Sequence, residues 1–361
     1  MQRSDWSRYV FFLNPLNISN SGVAEGGTGA WISETTALTA LHTFENSQKQ
    51  LPSEDFTISI NYKTVTQFQL TCRILQKDVD WDIALIEIDT QPLLKNLPVP
   101  GIEYLQVDWL GSHSKMVTEG TFVNSYGFAV RNGIVEGESF ADGQLRVEDR
   151  VPWTPKTKTV SYLRIKYSGN HTGFRGLSGS PVELNDRYAY VIGIIISNPS
   201  SSYFGFVEPM RLADSWPELE ATIQKYINGK DHLCQGKFKE AESEFFESKA
   251  SILGSGIKIP EELEHCYNLS KALTKEDWQG AKEPYEELIN SQYVDPIEAV
   301  EAIICADTLA TEYESQRRIW NPFFKLSKLN TAIDRLARAE SKIGADESST
   351  NSNVSLPDFR N

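Results

Sequence analysis

The 361-residue sequence predicts two domains of different class: an all-β domain over residues 1–212, then an all-α domain over 213–344, with a disordered tail over 345–361. Three observations carry this. Up to about residue 212, β-branched and aromatic runs of strand length alternate with Gly, Asn, Asp and Pro. After Pro209 the composition changes, and over 216–343 Glu, Lys, Ala and Leu dominate at helical spacing while glycine becomes sparse. The last stretch, rich in Ser, Asn and Asp, has little to bury.

Within the first part, the apolar run 9–13 is strand-sized and stops at Asn14-Pro15. Runs 56–62, 68–74, 121–128, 159–167 and 188–196 have strand lengths and turn-rich boundaries. Many short strands without intervening helices point to a sandwich or barrel. With 40% hydrophobic and 23% charged residues, the chain can bury a core in each domain.

A net charge of -14 argues against a general nucleic-acid binder, whose affinity needs clustered Lys and Arg. No apolar stretch approaches the ~18 residues that span a bilayer, and residues 1–6 lack a signal-peptide core, so a soluble cytoplasmic protein without membrane contact is expected. Cys72, Cys234, Cys266 and Cys305 form no CxxC pair, so no metal site, cofactor or disulfide framework is expected and a reducing compartment fits.

The helical part carries an internal repeat. Gly236-Lys237-Phe238-Lys239-Glu240-Ala241 is followed by Phe245 and Ser248, and Glu276-Asp277-Trp278-Gln279-Gly280-Ala281 by Tyr285 and Leu288. In both, an aromatic stands three residues before an alanine and another four after it, on one helical face. A third copy falls at Ala332, Leu336 and Ala339. The pattern resembles tetratricopeptide repeats, although the two alanines lie 40 residues apart instead of the usual ~34, and 252–260 reads as an insertion. An ordinary helical bundle is the alternative.

Chemistry concentrates in three places. Ser178 sits in Arg175-Gly176-Leu177-Ser178-Gly179-Ser180-Pro181, His42 follows the strand-like run 37–41, and Asp82 opens the apolar run 83–86. Each alone is an ordinary turn or strand-end residue. Together, in the order His, Asp, Ser, they describe a nucleophile, its base and the group that orients the base.

Gly26-Gly27-Thr28-Gly29-Ala30-Trp31-Ile32-Ser33 with Leu38-Thr39-Ala40-Leu41-His42, Asp80-Trp81-Asp82-Ile83-Ala84-Leu85, and Gly176-Leu177-Ser178-Gly179-Ser180-Pro181 resemble the three signature segments of trypsin-like serine peptidases. The spacings of 40 residues from His42 to Asp82 and 96 from Asp82 to Ser178 suit that family. The flavour is that of bacterial glutamyl-endopeptidase and HtrA-like members, and Thr43 stands where secreted members place a cysteine. The resemblance implies a double β-barrel over roughly 15–212. It also implies a catalytic His42, Asp82 and Ser178, with an oxyanion hole from the backbone N–H groups of Gly176 and Ser178.

Leu177 departs from the family, whose digestive members place there an aspartate that pairs with a freed N-terminus. Activation by clipping is therefore not expected, and the oxyanion loop is expected to be set by a partner. The resemblance assigns the substrate pocket to His171, Thr172, Gly173 and Arg175, with Ile195, Ile196, Ser197 and Asn198 on the facing strand. Thr172 carries no acid to select Lys or Arg, and Ile195 stands where glutamyl endopeptidases have a histidine, so an apolar or small residue is expected before the cut. The reading is a serine endopeptidase acting on protein substrates, with a helical module that docks a regulatory protein partner or substrate. Such a combination resembles peptidase modules of bacterial signalling or antiphage systems. The alternatives are a catalytically silent adaptor and a chaperone-like peptide binder.

Overall fold

The computed structural model describes residues 8–290, except 17–25, 46–49, 53–54, 63–64, 97–101, 115–116, 132–133, 154–158, 168–175, 185–189, 201–202, 254, 256 and 276. Cys305, the third repeat copy and the tail therefore lie outside the described residues. The chain divides into two compact units: residues up to Glu220 with Ile252–Pro260, and Ala221–Ser251 with Glu261 onward.

In the first unit, β1 (Val10–Pro15), β2 (Gly27–Trp31), β3 (Thr36–Ala40), β4 (Phe56–Tyr62), β5 (Val65–Asp78) and β6 (Ile83–Ile88) close a barrel in the order β1-β2-β3-β6-β5-β4. Alternation along the strands explains closure: Ile58, Ile60 and Tyr62 of β4 face inward, as do Phe11 and Leu13 of β1. Trp31 is fully buried between Phe11, at 4.3 Å between ring centroids, and Tyr62, at 6.0 Å. Burying each such side chain contributes about 1.5–3 kcal/mol or more. The Tyr62 hydroxyl escapes the polar penalty by donating to the Arg8 carbonyl at 2.6 Å.

A short helix α1 (Gln91–Leu94) and strand β7 (Gln106–Val107) lead to β8 (Phe122–Arg131), β9 (Ile134–Trp153), β10 (Val160–Tyr167), β11 (Pro181–Leu184), β12 (Tyr190–Ser200) and β13 (Tyr203–Val207). The sheet order is β11-β8-β9-β10-β13-β12-β7, and β11 also pairs with β12, so its six long-range neighbours form a closed hydrogen-bonded circuit with β7 outside. Val123, Phe140, Leu163, Ile165, Phe204 and Phe206 fill it.

Two elements depart from the sequence reading. β5 runs from Val65 to Asp78, longer than the expected 68–74, because its polar ends pair with β4 and β6. β9, 20 residues long, has no counterpart among the expected strands. Gly137, Gly143 and its acidic residues hide it, and antiparallel pairing with β8 and β10 makes it a strand.

Beyond a 3-10 turn over Pro209–Asp214 come α2 (Pro217–Cys234), α3 (Phe238–Ile252), α4 (Glu261–Thr274) and α5 (Trp278–Asn290). Both repeat copies fall on helices, α3 and α5, with Ala241, Phe245, Ser248, Ala281, Tyr285 and Leu288 all buried. The Ser248 hydroxyl donates to the Thr222 carbonyl of α2 at 2.7 Å. Asp277 caps α5 by accepting the Gly280 N–H at 2.9 Å.

Among the described residues, Cys72, Cys234 and Cys266 are in no disulfide. Burial pushes the Cys72 and Cys266 thiols well above the usual range, with nearby carboxylates adding to it, whereas Cys234 is exposed. Iodoacetamide at pH 8 is expected to alkylate Cys234 in the native protein and to spare Cys72 and Cys266 until denaturant is added. Peptide mass mapping reads this, and early modification of Cys266 would contradict the packing described.

Candidate active site

His42 sits in a 3-10 turn, Leu41–Phe44, that follows β3. Asp82 ends the turn between β5 and β6. That turn is shaped by Asp78, whose Oδ1 accepts the N–H groups of Asp80 at 2.9 Å and Trp81 at 2.8 Å. It places Asp82 in the left-handed region at φ 56°, where aspartate is better tolerated than most residues. Trp81 is fastened by its Nε1–H to Asp214 Oδ2 at 2.8 Å, with the Arg211 guanidinium 4.7 Å from its ring.

Asp82 holds the histidine from two directions. Its Oδ1 accepts the His42 backbone N–H at 2.8 Å, and its Oδ2 lies 2.5 Å from His42 Nδ1. Its carbonyl also accepts the Leu41 N–H at 3.0 Å. The opposite ring nitrogen, Nε2, lies 2.9 Å from Ser178 Oγ. The Asp82 side chain is 9% exposed and that of His42 41%, so the carboxylate is shielded while the imidazole edge faces solvent.

Ser178 lies on the turn that enters β11. Gly176 at φ +91° and Gly179 at φ +88° bracket it, and in both places a Cβ would collide with backbone, 2.5 Å from Phe128 O and 2.0 Å from Thr28 O respectively. The Gly179 N–H donates to Ile195 O at 2.6 Å and the Ser180 N–H to Leu177 O at 2.9 Å. No bond from the N–H of Gly176 or Ser178 is found among the described residues.

Leu177 is 1% exposed and packs in the core of the second sheet. Apolar burial anchors this loop. Thr28 of β2, which the sequence reading passed over inside a glycine-rich run, bonds the same loop. Its N–H donates to Ser178 O at 2.7 Å, and its hydroxyl donates to Gly176 O at 2.9 Å.

The three residues 42, 82 and 178 are thus brought together. Of the expected pocket, His171, Thr172, Gly173 and Arg175 lie outside the described residues, and Ser197 and Asn198 are described only as backbone of β12. Ile195 and Ile196 are buried, and the Ile195 side chain belongs to the core. What Ile195 gives the site is backbone: its carbonyl accepts from Gly179, and its N–H donates to Ser180 O at 2.8 Å. Among the described residues, no group of three or more His, Cys, Asp or Glu is placed to hold a metal ion, and no helix is long and apolar enough to cross a membrane.

No protein-family model matches the sequence, and no curated protein matches it. Among solved structures, the chain is similar to the active form of the Rv3671c protease from M. tuberculosis, at 14% identity and TM-score 0.40, over 58% of this chain and 80% of that one. It is similar to the inactive form of the Rv3671c protease at 14% identity and TM-score 0.38, over 59% and 89%. It is also similar to Deg5 at 16% identity and TM-score 0.38, over 58% and 88%.

Proposed function

We propose that the chain is a trypsin-like serine endopeptidase. The observation that carries this is the unbroken line Asp82 Oδ2, His42 Nδ1, His42 Nε2, Ser178 Oγ, with steps of 2.5 and 2.9 Å. An ionised Asp82 accepts Nδ1–H, so Nε2 is left as the base. Ser178 Oγ then attacks a peptide carbonyl carbon while His42 Nε2 takes its proton. The carbonyl oxygen becomes an oxyanion that the Gly176 and Ser178 N–H groups can hold, a contribution of about 2.7–4 kcal/mol per donor. As the C–N bond breaks, His42 returns the proton to the leaving amine. Water then attacks the acyl-serine, its proton going to His42, and the carboxylic acid leaves as Ser178 regains its proton.

The helical unit, with its repeated alanine and aromatic face, is proposed to stack in the tetratricopeptide manner and to dock a regulatory protein partner or the substrate. Its setting is proposed to be the cytoplasm, in a bacterial signalling or antiphage system, and an apolar or small residue is the proposed preference before the cut. The kinship proposed is with the HtrA-like and glutamyl-endopeptidase branch.

Intact mass after treatment with a fluorophosphonate tests the central reading. One adduct is expected on the native protein and none on Ser178→Ala. A native chain that takes no adduct would mean a silent site, as in the adaptor, or one that awaits its partner.

A further inference from the structure

We infer that Thr28 is the positioning residue of the oxyanion hole, a role that rests on the peptidase reading and deepens it. Thr28 is fully buried on β2, in the first barrel, yet its bonds reach the second sheet. Its hydroxyl donates to Gly176 O at 2.9 Å and accepts the Phe128 N–H of β8 at 3.0 Å. Its backbone N–H donates to Ser178 O at 2.7 Å, and its carbonyl is held in turn by the Thr39 hydroxyl at 2.8 Å.

The consequence is geometric. The N–H of Ser178 belongs to the peptide unit between Leu177 and Ser178. The carbonyl before that unit, of Gly176, and the carbonyl after it, of Ser178, are both held by the one threonine. Leu177, between them, is buried in the core. A peptide unit held on both sides cannot rotate its N–H away from the position where negative charge develops, and preorganisation of that kind gives an oxyanion hole its effect. The hydroxyl is the specific part. One oxygen satisfies a buried carbonyl of the nucleophile loop and a part-buried backbone donor of β8 together, so its loss takes a partner from both.

The test uses fluorophosphonate inactivation kinetics on the full chain, because phosphonylation of Ser178 passes through a charged oxygen in the same place. Thr28→Val keeps the shape and removes the hydroxyl. Its kinact is expected to fall about 10- to 100-fold, somewhat less than the ~10²–10³ typical for deleting a donor outright, while KI stays within about twofold. Thr28→Ser keeps the hydroxyl and is expected to restore kinact to within about threefold of the native value. A merely structural role predicts otherwise: melting temperature would drop, but kinact of the folded fraction well below that temperature would be unchanged.

Three results would overturn the inference. Thr28→Val reacting at the native rate is one. Thr28→Ser proving as slow as Thr28→Val is another, since the methyl group would then be what matters. The third is a native chain that takes no adduct, which means that no oxyanion hole stands preassembled for Thr28 to position, and which the unmutated control distinguishes from the others. Should Thr28→Val not fold, Thr28→Ala compared with Thr28→Ser carries the same contrast in kinact.

Discussion

Asp82→Asn is expected to slow phosphonylation of Ser178 by roughly 10⁴-fold while the fold of the β unit stays intact. Asparagine is the one substitution that tests charge and tautomer alone. It tolerates the left-handed conformation that Asp82 adopts at φ 56°. Its side-chain oxygen can still accept the His42 backbone N–H, now bonded to Oδ1 at 2.8 Å. What changes is the atom facing His42 Nδ1. An amide NH₂ donates where Oδ2 accepted, so Nδ1 must become the acceptor and Nε2 must carry the proton. A protonated Nε2 cannot take a proton from Ser178 Oγ, which lies 2.9 Å away. The measurement is the second-order rate of adduct formation alongside a thermal melt. A rate within tenfold of native would mean that Asp82 only shapes the turn.

Leu177→Asp is the second large effect, and it acts on stability and reactivity together. The side chain is 1% exposed and packed among the apolar residues of the second sheet. An ionised carboxylate there has no partner in the core, and an uncompensated buried charge costs several kcal/mol, about 3–5. For a unit of this size each kcal/mol lowers the melting temperature by roughly 2–4 °C, so a drop of about 10 °C is expected in the transition of the β unit. Relief comes only if the loop leaves its seat, and Ser178 would leave with it. Loss of fluorophosphonate labelling should accompany the drop, while Leu177→Met, which conserves apolar volume, keeps both properties near native. A Leu177→Asp protein with native melting and labelling would show that the loop is not anchored by this residue.

Much of the site is legible because each member announces itself locally. His42 closes a strand, Asp82 opens one, and Ser178 sits between glycines that a tight turn requires. The alanine and aromatic spacing of α3 and α5 was readable for the same reason, since a helical face repeats within a few residues. Leu177 marks the limit. Sequence reading recognises it as a departure from an ionic anchor, but its replacement is burial in a core built from strands far apart in the chain. Thr28 is hidden by the same logic, since all four of its bonds run to other segments. Strand β9 fails for another reason: its composition opposes the strand state, and its neighbours impose it. The resemblance puts Ile195 at the pocket wall, whereas its side chain is buried in the core of the second sheet.

The order in which the site is assembled follows from its placement on the chain. His42 and Asp82 are 40 residues apart, both carried by a six-strand barrel whose last strand ends at Ile88. Ser178 lies 136 residues from His42 and belongs to the second sheet. During synthesis at about 5–20 residues per second, a gap of about 90 residues separates the end of the barrel from the serine by several seconds or more. The pairings that seat Ser178 also span long loops, which makes them late events in folding. On the proposed reading the emerging chain carries its base before its nucleophile, and a product truncated before the second sheet is expected to be inert. Cleavage of neighbouring nascent chains would then be deferred until the last strands close.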